Sequence, residues 1–303
     1  MTITIREMRP DDLPGATACL KSSLIFDPVN EAIVREKTLE AADRAECRNL
    51  VAEREGAVAG FAQAVRGAGR DGTPIGWIRL FGVAAAHQNR GVGRTMLACI
   101  EDWLWTGGVR RISVFDCPSS YLSPGLDFRY TAAYCFFTRN GYSKTHDNLN
   151  LICEVSEGRE HLEAEIERLT GAGFSVRRMV PADRPRVVRF LESENWPQWI
   201  HEIDAACQND PVTVWLCWRG DEVVGFCAAE GNNKGTGWFG PMGVSGGCRG
   251  HRIGNVLCSL SLADIAALGH RRAVIPWVGP VHFYWRVCGA RNDRSFWVYQ
   301  KTR

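Results

Sequence analysis

Gln88-Asn89-Arg90-Gly91-Val92-Gly93-Arg94-Thr95 stands between an apolar run, Trp77 to Val83, and an amphipathic one that begins Thr95-Met96-Leu97-Ala98-Cys99-Ile100. The first run predicts a strand and the second a helix. Glycines at such a junction leave backbone N–H groups free to converge on an anion, and the helix N-terminus adds the positive end of its dipole. A pyrophosphate suits such a loop. A Gly-x-Gly helix start also occurs as a plain strand-to-helix turn, so the surroundings must decide.

The surroundings repeat. Met8, Pro10, Asp12 and Pro14 are matched by Met179, Pro181, Asp183 and Pro185, each shifted by 171. Gly56-Ala57-Val58-Ala59-Gly60-Phe61 is echoed by Glu222-Val223-Val224-Gly225-Phe226, shifted by 165 at the last glycine. The glycine loop returns as Arg249-Gly250-His251-Arg252-Ile253-Gly254, with Gly93 and Gly254 offset by 161. Finally, Phe136-Phe137-Thr138-Arg139-Asn140-Gly141 matches Phe283-Tyr284-Trp285-Arg286-Val287-Cys288-Gly289, with the glycines offset by 148. Ordered anchors with a slowly shrinking offset indicate two copies of one domain, each of ordinary size.

Each copy predicts the same order: a short strand, a Pro-Asp or Pro-Ala-Asp helix start, a second helical stretch and a two-stranded hairpin. The strand, glycine loop and long helix follow, then a strand, a short helix and closing strands. This is an α/β fold with a mixed sheet. The boundaries read as an N-terminal domain over 1–156, a linker helix over 157–173 and a C-terminal domain over 174–303. The linker is charged, with apolar residues at Leu162, Ile166 and Leu169.

With 45% hydrophobic and 23% charged residues, the chain has material for two cores. A net charge of +2 without a basic stripe argues against nucleic acid as a partner. No apolar run is long enough to span a bilayer, and Met1-Thr2-Ile3-Thr4 reads as the start of a strand rather than a signal peptide, so a cytoplasmic protein without a membrane partner is expected. The twelve cysteines contain no Cys-x-x-Cys pair and sit in apolar stretches, which predicts buried free thiols. The histidines form no His-x-x-x-His pair, and no metal is expected.

The spacing Gln-x-x-Gly-x-Gly over Gln88 to Gly93 resembles the acyl-CoA loop of the GCN5-related N-acetyltransferase (GNAT) superfamily, and the element order resembles that fold, here in tandem. The resemblance implies acetyl-CoA as cosubstrate. It implies a cofactor-binding role for Gln88, Asn89, Arg90, Gly91, Val92, Gly93, Arg94 and Thr95, with Phe81, Gly82 and Val83 lining the pantetheine arm. In the second copy it implies Met242, Gly243 and Val244, with Arg249, Gly250, His251, Arg252, Ile253 and Gly254. Arg252 stands where a glycine is expected, which counts against acyl-CoA binding by that copy. Many members carry a proton-donating tyrosine on the short helix. The first copy has Phe137 there, with Tyr134 about one turn earlier, and the second has Tyr284 in a neighbouring register. Tyr284 is therefore the candidate general acid. Glu230 and Asp116, at strand ends, are candidate general bases; acidic residues at such ends also serve as turn formers.

The acceptor is expected to be a primary amine on a small molecule. Tyr121-Leu122-Ser123-Pro124-Gly125-Leu126-Asp127 and Trp277-Val278-Gly279-Pro280-Val281-His282-Phe283-Tyr284 resemble segments of a bacterial group of tandem GNAT proteins that includes glucosamine and glucosaminide N-acetyltransferases, which implies an amino sugar. Trp196-Pro197-Gln198-Trp199 is either a stacking face for such an acceptor or part of the core. The alternatives are another amine, such as an antibiotic or amino acid, or a CoA-sensing protein without catalysis. A monomer or a homodimer is compatible with the sequence.

Overall fold

The computed structural model describes residues 3–41, 46–69, 71–156 and 162–303. It contains two compact units, Met1–Asn148 with Ser295–Arg303, and Leu149–Arg294.

In the first unit the elements are β1 (Thr4–Glu7), α1 (Leu13–Ser23), α2 (Glu31–Thr38), β2 (Cys47–Arg54), β3 (Ala57–Ala68), β4 (Pro74–Val83), α3 (Val92–Thr106), β5 (Arg111–Val114), β6 (Leu126–Asp127) and α4 (Thr131–Arg139). β7 (Ser143–Glu154) carries the chain into the second unit. There follow α5 (Leu162–Gly171), β8 (Phe174–Arg178), α6 (Arg184–Ser193), α7 (Ile200–Ala206), β9 (Val214–Arg219), β10 (Glu222–Ala229) and β11 (Phe239–Val244). Then come α8 (Ile253–Ala267), β12 (Arg272–Ile275), α9 (Val281–Cys288) and β13 (Arg291–Thr302).

β1 to β4 form an antiparallel meander, and β4 pairs in parallel with β5. α3 covers one face with Met96, Leu97, Ile100 and Leu104 against Leu50, Ala62 and Ile78. α1 and α2 cover the other with Leu13, Leu20, Ile33 and Val34 against Val51, Phe61 and Leu80. Ile78 and Leu80 lie two apart yet face opposite layers. The register shifts between them, so Arg79 is the extra residue of a β-bulge and side-chain alternation reverses. Arg79 is fully buried, and its guanidinium donates to Gln63 Oε1 at 2.8 Å and to the Ser119 carbonyl at 3.0 Å. Just before this bulge, the β4–β5 ladder ends at Ile78 and Val114. β5 ends there while β4 runs on to Val83, and the cleft described below lies along that last stretch of β4.

The Pro-Asp anchors of the repeat have a physical basis. Asp12 accepts the fork of Arg6 at 2.6 and 2.8 Å and the Arg9 N–H at 2.7 Å; Asp183 accepts Arg177 at 2.6 and 2.8 Å and the Val180 N–H at 2.9 Å. In both units the first strand is thereby clamped to the turn that starts the next helix. The arginines hold both carboxyls below the usual carboxylate range.

Two expected boundaries are corrected. The final strand does not close the second unit: Tyr299 to Thr302 pair with Val114 to Arg111 of β5, and Phe296 and Trp297 pair with Asp127 and Leu126 of β6. The second unit is closed by Leu151 to Glu154 of β7, antiparallel to Ile275 to Arg272 of β12. β7 is one unbroken strand over Ser143–Glu154, and its residues from Leu149 on belong to the second unit. The expected linker is not a free connector either. Its residues 157–161 lie outside the described set, and α5 packs Leu162 and Leu169 into the core with Phe174 and Val256. No helix among the described residues is long and apolar enough to cross a membrane.

Candidate active site

In the first unit, a cleft of about 710 Å³ lies along β4 past the end of its ladder with β5. Its walls are Phe81, Gly82 and Val83 from β4, the loop and first turn of α3, and the exposed side of α4 from Ala132 to Asn140. Phe115, Leu126, Tyr130, Ser23 and Leu24 complete it. Of the first-copy residues expected to bind a cofactor, Phe81, Gly82, Val83, Gln88, Asn89, Gly91, Gly93 and Arg94 line this cleft. Arg90 is exposed outside it, Val92 is buried in the core, and the Thr95 hydroxyl donates to the Gly91 carbonyl at 3.2 Å.

The loop is built for close approach. Gly91 caps α3 at φ +85°, a left-handed conformation that L side chains rarely adopt. The first bond of the helix runs from Thr95 N–H to Gly91 O at 3.0 Å, which leaves the preceding N–H groups of Val92, Gly93 and Arg94 without intrahelical acceptors. Gln88 Nε2 donates to the Val83 carbonyl at 3.1 Å and ties the loop to the end of β4. A Cβ at Gly93 would meet Phe136 and Val83 at 3.5 Å, whereas one at Gly91 would meet nothing within 4 Å. Arg94 and Arg139 add positive charge to the wall. Unsatisfied N–H groups, a helix dipole and two guanidiniums are the donor set a pyrophosphate needs. The edge of β4 beyond Ile78, outside the β5 ladder, suits an extended amide-containing chain.

A second, much smaller cavity of about 10 Å³ lies beside the cleft and shares Leu24, Phe115, Leu126 and Tyr130 with it. Its lining is mainly apolar, with Leu80 and Leu122 beside the shared residues, and Asp27, Arg79, Ser123 and Asp127 add polar and charged groups to it. The Tyr130 hydroxyl donates to Asp27 Oδ2 at 2.8 Å and accepts the Phe26 N–H at 2.8 Å. Asp127 accepts the Arg129 fork at 2.8 and 2.7 Å. The segment Tyr121–Asp127 is thus part of this wall. The Tyr130–Asp27 pair was not evident from the sequence; its members lie 103 residues apart, and only Asp127 and Ser123 fell in a segment already singled out.

In the second unit the equivalent loop is arranged otherwise. Arg252 caps α8 at φ +60°, and its guanidinium meets Glu165 of α5 at 3.1 Å. Arg168 of α5 donates to the His251 carbonyl at 2.8 Å. Arg249 and Gly250 precede this contact, and Ile253 is buried in the core. Gly254 faces Phe283 at 3.3 Å as Gly93 faces Phe136, which makes Tyr284 the counterpart of Phe137. Met242 and Val244 flank Gly243, and a Cβ on Gly243 would meet the Trp196 indole at 2.4 Å. Trp196 and Trp199 pack with Phe190 and Phe226 around the second unit's core, so the core reading holds for them.

Of the three expected acid–base residues, Tyr284 and Glu230 belong to the second unit and Asp116 to the first. Tyr284 is buried against Phe239 and Phe283, and desolvation followed by nearby thiols raises its hydroxyl well above the ordinary range. Glu230, also buried, accepts the N–H of Trp238 at 2.8 Å on Oε1 and that of Gly235 on Oε2, closing its own loop. Asp116 belongs to the first unit but does not line the cleft. Burial pushes its carboxyl up to about 6, against smaller opposing effects of Ser113 and Arg111, and its Oδ1 has no hydrogen-bond partner.

This burial has a measurable consequence. Between its ordinary value and about 6, Asp116 holds a proton in the folded state that it loses in the unfolded chain. Stability therefore falls as pH rises through that window and levels off above it, by up to about 3 kcal/mol. Asp116→Asn removes that slope and stabilises the first unit at pH 7; equal urea midpoints for the two proteins at pH 7 would contradict it.

All twelve cysteines are free, and no group of three or more candidate metal ligands occurs among the described residues. The acetyltransferase (GNAT) family model matches residues 18–121 and 178–290, more than half of the chain. The chain belongs to that family and carries its fold twice. No curated protein sequence matches it. Among solved structures, it is similar to the glucosamine N-acetyltransferase region of a fungal multidomain β-N-acetylglucosaminidase, with a TM-score of 0.78 and 19% identity over 99% of this chain. This chain spans 38% of that protein. It also resembles a GCN5-related N-acetyltransferase from Sphaerobacter thermophilus (TM-score 0.67, 16% identity, 99% and 95% of the two chains). A third relative is a tandem GNAT protein of the clavulanic acid biosynthesis pathway (TM-score 0.67, 13% identity, 99% and 98% covered). At these identities the likeness is one of fold.

Proposed function

We propose that this chain is an acetyl-CoA-dependent N-acetyltransferase whose first unit performs direct transfer to a primary amine on a small molecule. The observation that carries the reading is the first unit's cleft. It joins an N–H-rich helix start and the open edge of β4 to a small cavity at its side that holds Asp27, Arg79 and Asp127 in its wall. The donors at Val92 to Arg94, with Arg94 and Arg139, would hold the pyrophosphate, and β4 from Phe81 to Val83 would align the pantetheine arm. Acetyl-CoA supplies an activated thioester. A backbone N–H of the same β4 segment would polarise its carbonyl. In the second unit, the Arg252–Glu165 pair and the Trp196 indole favour a structural role.

An amino sugar is the first acceptor class to test. Support comes from the segment Tyr121–Asp127, which helps to wall the small cavity, and from the glucosamine N-acetyltransferase region among the structural relatives. The purified chain with acetyl-CoA and glucosamine is expected to yield N-acetylglucosamine, read by mass spectrometry. A thiol-reactive dye is a poor readout, because Cys135 is exposed and lines the cleft itself. Acetylation of a different primary amine, with glucosamine inert, would keep the transferase and discard the sugar. Binding of acetyl-CoA with no transfer to any amine would favour a CoA-sensing protein.

A further inference from the structure

We propose that Tyr130 and Asp27 are the proton-accepting pair of this site, taking a proton from the ammonium form of the acceptor; this rests on reading the cleft as an acetyltransferase site. Tyr130 lines both the large cleft and the small cavity, and Asp27, which accepts its hydroxyl hydrogen bond at 2.8 Å, lines the small one. The small cavity, at about 10 Å³, has room for one group the size of a water molecule, which is also the size of an ammonium head. The rest of the acceptor remains in the large cleft. α4 offers no alternative at its buried position, because Phe137 has no hydroxyl.

Charged groups also border the pair. Arg79, on β4, is engaged by Gln63 and the Ser119 carbonyl. Asp127, on β6, is held by the Arg129 fork, and the Arg129 guanidinium carbon lies 4.2 Å from the centre of the Phe26 ring. The Phe26 N–H donates to the phenolic oxygen, which itself donates to Asp27. A phenolic oxygen donates one hydrogen bond and can accept two, so Tyr130 can relay a proton without storing charge.

The step balances as follows. An ammonium N–H bond breaks as the proton passes to the Tyr130 oxygen, while the phenolic proton passes to Asp27 Oδ2, leaving a neutral amine and a neutral carboxyl. The amine nitrogen then forms the C–N bond to the thioester carbon. The C–S bond breaks with its electron pair on sulfur, and the second proton shed by nitrogen goes to that sulfur, directly or through water. Asp27 returns its proton to solvent.

The test compares kcat/KM from pH 6 to 9 for the full chain, Tyr130→Phe and Asp27→Asn, with acetyl-CoA and glucosamine. Calorimetry with acetyl-CoA runs in parallel. The wild type can use the ammonium form, so its profile is shallow below the amine's own pKa. Each variant depends on free amine, so its kcat/KM rises about tenfold per pH unit and lies about a hundredfold below wild type at pH 7. Acetyl-CoA affinity stays unchanged in both. A uniform loss with a wild-type pH profile would overturn the relay and leave the transferase standing. Absence of transfer by the wild type to glucosamine and to a panel of primary amines would overturn both. A destabilised Asp27→Asn would leave Tyr130→Phe, which retains the ring packing, to decide.

Discussion

Deleting Ser295–Arg303 is expected to unfold the first unit and abolish acetyl-CoA binding, although every residue of the glycine loop remains. These nine residues supply Phe296, Val298 and Tyr299, all buried, and the antiparallel partner of β5. Burying such side chains contributes about 1.5–3 kcal/mol each, and the deletion also leaves a core strand with an open edge. The sum rivals the whole stability of a typical domain, about 5–15 kcal/mol. The loss reaches the site directly. Phe296 and Trp297 pair with Asp127 and Leu126, and Gly125 sits with its Cβ position 3.1 Å from Phe296, so the wall of the small cavity rests on the last strand. The graded variant Phe296→Ala should cost about 3–5 kcal/mol. Circular dichroism and urea titration of both variants, beside the full chain, measure this. A deletion that keeps wild-type stability and acetyl-CoA affinity would refute the assignment of the last strand to the first unit.

Gly93→Glu is expected to weaken acetyl-CoA binding on the order of a thousandfold without unfolding the chain. Gly93 has an ordinary helical conformation, and a Cβ there makes only van der Waals contact with Phe136 and Val83, so the substitution is tolerated by the fold. The longer side chain, however, projects into the cleft where the pyrophosphate would lie. A carboxylate about 4 Å from one phosphate charge repels it by about 4 kcal/mol at an effective dielectric near 20, which is about three decades of affinity. Gly93→Ala adds bulk without charge and should cost much less. Equal losses for the two variants would show that space, not charge, governs the loop. Gly91 is the poorer test, because its φ of +85° makes any side chain there a strain on the helix start itself.

The loop, the tandem repeat and the order of elements were readable because each is local. Glycine at a strand-to-helix junction, Pro-Asp at a turn and alternating apolar residues act over a few positions, and the Arg6–Asp12 and Arg177–Asp183 clamps confirm the repeat at the level of hydrogen bonds. What escaped was long-range. The crossing of β7 and the return of β13 are choices of pairing partner, and a strand's own residues do not say which neighbour it will meet. Tyr130 meets Asp27 across 103 residues, from the start of α4 to the loop between α1 and α2. Glu230 was singled out because an acidic residue ends a strand, yet its carboxylate serves the backbone amides of its own loop. Sequence alone did not distinguish a carboxylate aimed at solvent from one folded back on the main chain.

The most direct test of the central claim, that acyl-CoA binds in the first unit alone, is titration calorimetry of acetyl-CoA into the full chain and into Gly254→Glu. One acetyl-CoA per chain and the same affinity in both proteins are expected, because Arg252 pairs with Glu165 of α5 beside the second loop. Two sites per chain, or loss of binding in Gly254→Glu with the fold intact, would contradict it.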